Sequence, residues 1–336
     1  MHDILQFIIH GYNFLSELPT NLIEPITFLP EWSKDAIADS INLVPFLFVV
    51  FLIIEVIEQY FTRKKHLFVF YIKKVGPLFG SLFASIPQCG FSVIASTLYV
   101  RRILSRGTLL AVYLATSDEA IPVLLTYPSK IYLILPIILI KVIIAVIVGY
   151  FVDLLITYKA KEPVPEKNEL PADVEVEQET GCCHHHLVDA SKTKEFWYHP
   201  LKHTFNIFLF ILIVSLVLAF LISKVGTEEN LAKYCLMNSP IQPFLVSLLG
   251  LVPNCAISVM LTLLFVKHTI SFGSLIAGLS TAGGLGILVL LTKNKDKKDT
   301  AIIIGTLVVV SSIVGLIFQY NVFNINHIFS FIGIQL

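Results

Sequence analysis

Charged side chains are scarce in this chain. Asp, Glu, Lys and Arg make up only 14% of its 336 residues, whereas 55% are hydrophobic, and the mean hydropathy is positive. About a quarter of the residues of a soluble domain are charged, so this composition excludes a soluble domain. Long apolar runs cross a bilayer as helices because the backbone must satisfy its own hydrogen bonds there. The sequence therefore predicts an all-α polytopic membrane protein.

Other absences narrow the function. The chain has five cysteines, an odd number, which argues against a disulfide framework. It has no Walker-type nucleotide-binding loop and no phosphorylatable aspartate motif beside a soluble ATPase domain. An ion gradient is therefore the expected driving force for transport, and no prosthetic group is expected. No basic region follows Met1, so no cleavable signal peptide is predicted.

Six apolar runs are long enough to cross about 30 Å of hydrocarbon, which takes roughly twenty residues. They lie around residues 43–54 and at residues 107–126, 131–156, 205–222, 273–292 and 300–320. Basic residues concentrate in four other regions, which are residues 63–74, 101–106, 157–202 and 293–298. The positive-inside rule places these four regions in the cytoplasm.

An internal duplication runs through the chain. Residues 87–125 recur without a gap 166 residues later, at residues 253–291, with fourteen of thirty-nine positions identical. The alignment places the Pro-polar-Cys motif at Pro87 on a second one at Pro253. A shared apolar composition does not produce such a motif match, so we infer an ancestral duplication.

The charge pattern and the duplication together predict the topology. Residues 75–100 hold two short apolar limbs around Pro87, between two basic clusters, so this segment enters the membrane and returns. Each limb of about a dozen residues rises roughly 18 Å, too little to cross. The limbs around Pro253 make the same excursion from the outer side. The prediction is two inverted-topology repeats, each with three membrane crossings and one re-entrant helical hairpin, ten helical segments in all.

The predicted organisation has five parts. They are an N-terminal outer-face segment (residues 1–40), the first transmembrane repeat (residues 41–156), a cytosolic linker (residues 157–202), the second transmembrane repeat (residues 203–322) and a C-terminal tail (residues 323–336).

The hairpin breaks are the first candidate site. A break within the membrane must line a cavity or be buried against protein, which places Cys89 and Cys255 opposite one another. A helix N-terminus favours the thiolate, which is the form that binds metal. An alternative is that both cysteines are small apolar residues packed at a tight turn. The neighbouring side chains that add oxygen ligands are Gln88, Ser92, Asn254 and Ser258.

The second candidate lies inside the apolar run at residues 107–126. Carboxylates at that depth are functional by default, so Asp118 and Glu119, beside Ser117, are candidate cation ligands or proton carriers. A cap on a broken helix is the alternative reading. In the second repeat, Gly283 and Gly284 replace Ser117 and Asp118. The helix break is therefore expected there too, with backbone carbonyls as candidate ligands in place of the carboxylates.

Two further features stand apart. Lys141 is a basic residue inside an otherwise apolar run, and it is predicted to pair with a carboxylate. The linker combines soft and imidazole ligands, which suit loose capture of zinc, copper or a similar ion, although an incidental polar linker is the alternative. These linker residues are Cys182, Cys183, His184, His185 and His186.

At PQCGFS, SDEAIP and GLVPNCAIS followed by AGLSTAGGLG, the chain resembles the ten-transmembrane heavy-metal exporter family, over about residues 40–320. Members of that family are labelled arsenic efflux proteins or manganese transporters. The resemblance implies export of a metal or metalloid by a multi-pass protein of the bacterial inner membrane. It also implies roles for the motif residues Gln88, Cys89, Ser92, Ser117, Asp118, Glu119, Asn254, Cys255 and Ser258.

The chain contains candidate ligands for both soft and hard metal ions. Two thiols favour arsenite, copper(I) or zinc, whereas carboxylates and carbonyls suit manganese(II). We expect a secondary transporter rather than an enzyme, with the ion and the bilayer as partners and no nucleic acid. The alternatives are an integral-membrane lipid phosphatase with inverted repeats and a passive ion channel. A phosphatase needs an arginine or histidine beside the acids, but Arg101, Arg102 and Arg106 lie on the cytoplasmic rim.

Overall fold

The computed structural model describes residues 30–62, 76–87, 90–116, 119–159, 193–225, 236, 239–254 and 256–320. These residues form α-helices and one 3₁₀ turn, Pro128–Leu133, and contain no β-strand, so the predicted all-α class is confirmed for them. The helices are α1 (Glu31–Thr62), α2 (Pro77–Ala84), α3 (Gly90–Val100), α4 (Arg106–Ala115), α5 (Ala120–Leu125), α6 (Ile134–Lys159), α7 (Thr193–Val225), α8 (Ile241–Gly250), α9 (Ala256–Val266), α10 (Phe272–Thr281), α11 (Gly284–Lys293) and α12 (Lys297–Gln319).

Five helical stretches in the described part are long and apolar enough to cross a membrane: Arg106–Leu125, Lys130–Leu155, Thr204–Lys224, Phe272–Lys293 and Lys297–Gln319. In their most apolar windows, the first and fourth are 94% and 72% buried, whereas the other three are 28%, 22% and 33% buried. A helix that faces lipid leaves its apolar surface uncovered by protein. The chain is therefore a multi-pass membrane protein with α4–α5 and α10–α11 at its centre.

The helix bounds repeat the sequence duplication. An offset of 166 residues takes Gly90–Val100 onto Ala256–Val266 and Arg106–Ala115 onto Phe272–Thr281. The same offset superimposes most of the length of α1 on α7, α2 on α8, α5 on α11 and α6 on α12. Each half of the described chain thus contains the same six helices in the same order.

Local details repeat as well. Ser105 and Ser271 each cap the following helix by accepting a hydrogen bond from the backbone N–H three residues on, at 3.1 Å in both cases. Arg102 and His268, just before these caps, both have a left-handed backbone, with φ of 60° and 54°. Non-glycine residues rarely adopt this conformation, so the two halves share one unusual turn.

The pair α2 and α3 begins and ends beside the same end of α4. A Cβ on Gly76, just before α2, would lie 3.1 Å from Thr108 Oγ1 in the first turn of α4. The last residue of α3 is only a short turn away from Arg106, the first of α4. In the second half, Gln242 at the start of α8 accepts a hydrogen bond at 3.2 Å from the N–H of Ser271, which caps α10. In each pair of short helices, the beginning and the end therefore both lie beside the start of the next long helix, which is α4 in the first half and α10 in the second.

Glycines bring the longer helices into backbone contact. A Cβ on Gly107 of α4 would lie 2.1 Å from the carbonyl oxygen of Gly149 in α6. The equivalent Cβ on Gly273 of α10 would lie 2.2 Å from the carbonyl oxygen of Gly315 in α12. Small residues permit this close approach between membrane helices. Helices α4 and α6, and likewise α10 and α12, pack as one unit.

The equivalent helices α1 and α7 pack against each other in opposite directions. Trp32 at the start of α1 contacts Phe220 near the end of α7, edge to face, with ring centroids 5.6 Å apart. Leu47 and Ile207, from their middles, share one buried apolar cluster. Helix α1 begins at Glu31, so residues 31–40 continue directly into the first predicted crossing. The CCHHH stretch of the predicted linker lies outside the described residues.

Candidate functional site

Both central stretches are broken near their middle. Helix α4 ends at Ala115, Thr116 has an extended backbone, and α5 begins at Ala120. Helix α10 ends at Thr281, and Gly284 opens α11 with φ of 52°, a left-handed value that favours glycine. These breaks release backbone groups that hydrocarbon cannot satisfy, so the surrounding protein must do so.

Glu119 lies in the first break and is only 4% exposed. Its Oε2 accepts a hydrogen bond from Ser258 Oγ, in α9 of the second half, at 3.4 Å, which is long for such a bond. Glu119 is the N-cap residue of α5 without a side-chain bond to that helix. The sequence alternatively predicts a cap at Ser117 or Asp118, and those two residues lie outside the described part.

Lys141 of α6 is 1% exposed and bridges the two halves. Its ammonium donates to the carbonyl oxygen of Thr116, at the end of α4, and to that of Leu279 in the last turn of α10, the latter at 2.7 Å. Helix C-terminal ends carry partial negative charge, which stabilises a buried ammonium. The equivalent residue of α12 is Leu307, so this charge is present in one half only.

Tyr113 of α4 is fully buried, and it joins α3 to α11. Its hydroxyl donates to the carbonyl oxygen of Gly286 at 3.0 Å and lies 2.7 Å from Ser96 Oγ. A Cβ on Gly286 would lie 2.6 Å from the carbonyl oxygen of Ser92, so only glycine allows α11 this close to α3. Tyr113 and Ser96 are not among the predicted site residues. A tyrosine inside an apolar run is the available signal, because its buried hydroxyl needs a partner.

The predicted site residues in the described part fall into two groups. Those beside the breaks are Ser92, Glu119, Ser258, Gly283 and Gly284. Those in the turns between the short helices are Pro87, Pro253 and Asn254, and Asn254 Oδ1 accepts a hydrogen bond from the N–H of Ala256 at 3.0 Å. The remaining predicted residues lie outside the described part: Gln88, Cys89, Ser117, Asp118, Cys182, Cys183, His184, His185, His186 and Cys255.

The chemistry of the described junction is that of oxygen donors. Within the described ranges, no three His, Cys, Asp or Glu side chains come together as a metal site. The carboxylate of Glu119 at the first break and the hydroxyl of Ser258 beside it are oxygen donors, whereas the carbonyls of Thr116 and Leu279 accept hydrogen bonds from the Lys141 ammonium. Such hard donors suit divalent cations such as manganese(II).

Comparison with known proteins gives one match. A family model described as "Putative, 10TM heavy-metal exporter" matches residues 30–223 and 203–328 of the chain. These ranges contain every helix described above. No curated protein and no solved structure matches the chain.

Proposed function

Since the chain belongs to the ten-transmembrane heavy-metal exporter family, we propose that it is a secondary transporter that exports a divalent heavy metal or a metalloid. The substrate is an ion of the manganese or arsenite class, and transport is proton-coupled alternating access across a bacterial inner membrane. Glu119 carries this proposal: it is a buried carboxylate at the break of a central span, in contact with Ser258 of the other repeat.

Two observations support an inverted topology of the two repeats. Equivalent helices α1 and α7 pack antiparallel, with Trp32 against Phe220. Three of the candidate spans, α4–α5, α6 and α7, lie between the start of α4 and the start of its equivalent α10. An odd number of crossings puts equivalent residues on opposite sides of the bilayer. Inverted repeats place the substrate site where their broken helices meet near the midplane.

Re-entrant hairpins account for the short helices. Helix α2 has 8 residues and α3 has 11 residues, which rise about 12 Å and 16 Å, too little to cross. Both ends of the pair lie at one end of α4, beside Thr108 and Arg106. The pair α8–α9 enters from the other side, and the two hairpins meet the broken spans from opposite faces.

The proposed ligand set has a hard and a soft part. Asp118 and Glu119, with Ser117, Ser258 and backbone carbonyls of the break at Gly283 and Gly284, hold the cation, and one carboxyl releases a proton as the cation binds. Cys89 and Cys255, at the two hairpin turns, add soft thiolate ligands, and Gln88, Asn254 and Ser92 add oxygen ligands beside them. The CCHHH linker collects ions on the cytoplasmic side.

Replacing both hairpin cysteines tests which ions depend on the soft ligands and which depend on the hard ligands. We expect Cys89→Ser combined with Cys255→Ser to lower arsenite and zinc uptake at least about tenfold, because each lost thiolate removes a strong soft-ion bond. Manganese uptake falls much less, since oxygen donors remain. Uptake of each ion into proteoliposomes, at equal protein content, measures the difference.

The matched control removes two thiols from the linker instead. Cys182→Ser with Cys183→Ser is expected to leave the maximal rate unchanged and to weaken only the apparent affinity. Equal losses in both double variants would show that the hairpin thiols have no special role.

The deciding experiment is uptake of manganese(II), zinc(II) and arsenite into inside-out proteoliposomes, each with and without an imposed proton gradient. Saturable, gradient-dependent uptake of one ion supports the exchanger. Uptake that follows only the ion's own gradient indicates a passive channel. If no ion enters and the protein instead hydrolyses lipid phosphates, it is an enzyme and the proposal is wrong.

A further inference from the structure

A buried polar cluster joins the two repeats where α3 meets α4. Asp299, in the first turn of α12, is 4% exposed. It accepts hydrogen bonds from Tyr99 Oη at 2.6 Å and from Asn294 Nδ2 at 3.0 Å, and it forms an ion pair with Arg106. Tyr99 and Arg106 belong to the first repeat, whereas Asn294 and Asp299 belong to the second. These four residues are termed the Asp299 cluster.

The Asp299 cluster lies at the basic end of the molecule. Arg101 and Arg102, which follow α3, are exposed, and so are Lys295 and Lys297 beside the start of α12. The Asp299 cluster brings these two basic regions, far apart in sequence, to one end. The positive-inside rule makes that end cytoplasmic.

The opposite end has a different chemistry at equivalent positions. The residues related by the 166-residue offset to Tyr99, Arg106 and Asp299 are Phe265, Phe272 and Leu133. Phe265 and Phe272 have ring centroids 6.1 Å apart, and both pack against the buried apolar cluster that contains Leu133. A duplicated framework thus has an ion pair at one end and apolar contacts at the other.

We propose that Tyr99, Arg106 and Asp299 form the cytoplasmic gate of the transport pathway, closed in this structure by the Asp299 cluster. The proposal rests on the alternating access proposed above. Contacts within a rigid unit persist during such a transition, whereas the contacts that close one end of the pathway must break for that end to open. Every bond of Tyr99 and Arg106 to Asp299 is a contact between repeats.

An ion pair suits a gate that must both close and open. The Arg106 side chain is 29% exposed, so the cluster borders the cytoplasmic solvent. When the pair separates, both charges return to water, which offsets most of the lost attraction. The closed and open states then lie close in free energy, and ligand binding can shift their populations.

Accessibility of a reporter cysteine tests the gate. The reporter is Ser92→Cys, at a fully buried position in α3, in a full-length chain whose five native cysteines are replaced by serine. A membrane-impermeant maleimide is added to the cytoplasmic side of inside-out vesicles, and the labelling rate is measured. We expect Asp299→Asn to raise this rate at least about tenfold, a typical size for a shift between two states.

Three further variants show whether the rise in labelling is specific to the contacts between the repeats. Tyr99→Phe removes one hydrogen bond and leaves both charges, so it is expected to raise labelling more weakly, and it carries the test if Asp299→Asn does not fold. The exchange Arg106→Asp with Asp299→Arg is expected to restore protection. The control Asp153→Asn breaks bonds to Ser105 and Gly107 at the same end but within one repeat, so labelling stays at the parent rate.

The outcomes separate the gate from the transport function, because labelling needs no transported ion. Unchanged labelling in Asp299→Asn and Tyr99→Phe would overturn the gate even if ion uptake by the wild-type chain is normal. So would an equal rise in Asp153→Asn, which would mean that the whole end loosens. Labelling that responds as expected in the reporter chain, together with no uptake of any ion by the wild-type chain, would leave the gate standing and reject the transporter.

Discussion

Glu119→Gln is expected to lower the initial rate of ion uptake by roughly ten- to a hundredfold, while the protein still inserts into the membrane. Glutamine has the same shape and can still accept a hydrogen bond from Ser258. It lacks the negative charge that holds a cation or carries a proton at a buried position. Uptake of manganese(II) into proteoliposomes with an imposed proton gradient measures this loss.

Two companion variants show what kind of group Glu119 is. Glu119→Asp keeps the charge and shifts its position, so partial uptake is expected. Ser258→Ala keeps the carboxylate and removes one neutral oxygen donor, whose bond to Glu119 is long at 3.4 Å, so uptake should fall about threefold or less. Wild-type uptake by Glu119→Gln would remove Glu119 from the site and leave Asp118 as the only proposed carboxylate.

A second readout on Glu119→Gln separates ligand from proton carrier. Exchange of labelled manganese(II) between the two sides, with no proton gradient, needs ion binding but no net proton movement. If Glu119 is a ligand, exchange falls together with driven uptake. If it carries the proton, exchange persists and only the response to the gradient is lost.

The positions of the helices could be predicted from the sequence, because they depend on local patterns. The central apolar runs at residues 107–126 and 273–292 correspond to Arg106–Leu125 and Phe272–Lys293, and the break before Pro122 follows from its polar residues. The 166-residue offset predicted equivalent helices, since duplicated sequence repeats its own caps and turns. Ser105 and Ser271, identical in the alignment, are such caps.

The contacts between the halves could not be predicted in this way. Lys141 donates to the backbone carbonyls of Thr116 and Leu279, and a carbonyl is present at every residue, so no residue type marks these two partners. Asp299 lies in a basic stretch that resembles a solvated loop, yet it pairs with Arg106, 193 residues away. Such pairs depend on how the two halves pack against each other, and the local sequence around each residue does not indicate which residue of the other half it will contact.

The backbone contacts of the central helices predict a large loss of stability in Gly107→Ala. The added Cβ would lie 2.1 Å from the Gly149 carbonyl oxygen and 2.5 Å from the Asp153 carboxylate, and a backbone atom cannot move aside as a flexible side chain can. Overpacking of this kind costs about 1 to 3 kcal/mol or more. We expect the thermal midpoint in detergent to fall by at least several degrees, measured by loss of the monodisperse peak after heating.

The chain offers two comparisons that make this result specific. Gly273→Ala, with its Cβ 2.2 Å from the Gly315 carbonyl oxygen, should destabilise to a similar extent, because the second repeat uses the same crossing. Gly305→Ala in α12 meets nothing within 4 Å, so it should be neutral or gain up to about 1 kcal/mol from helix propensity. Equal stability of all three variants would mean that α4 and α6 are not in backbone contact. A loss in Gly107→Ala but not in Gly273→Ala would show that the two repeats, although built from equivalent helices, do not pack by the same crossing, and alternating access between matched units would lose its structural basis.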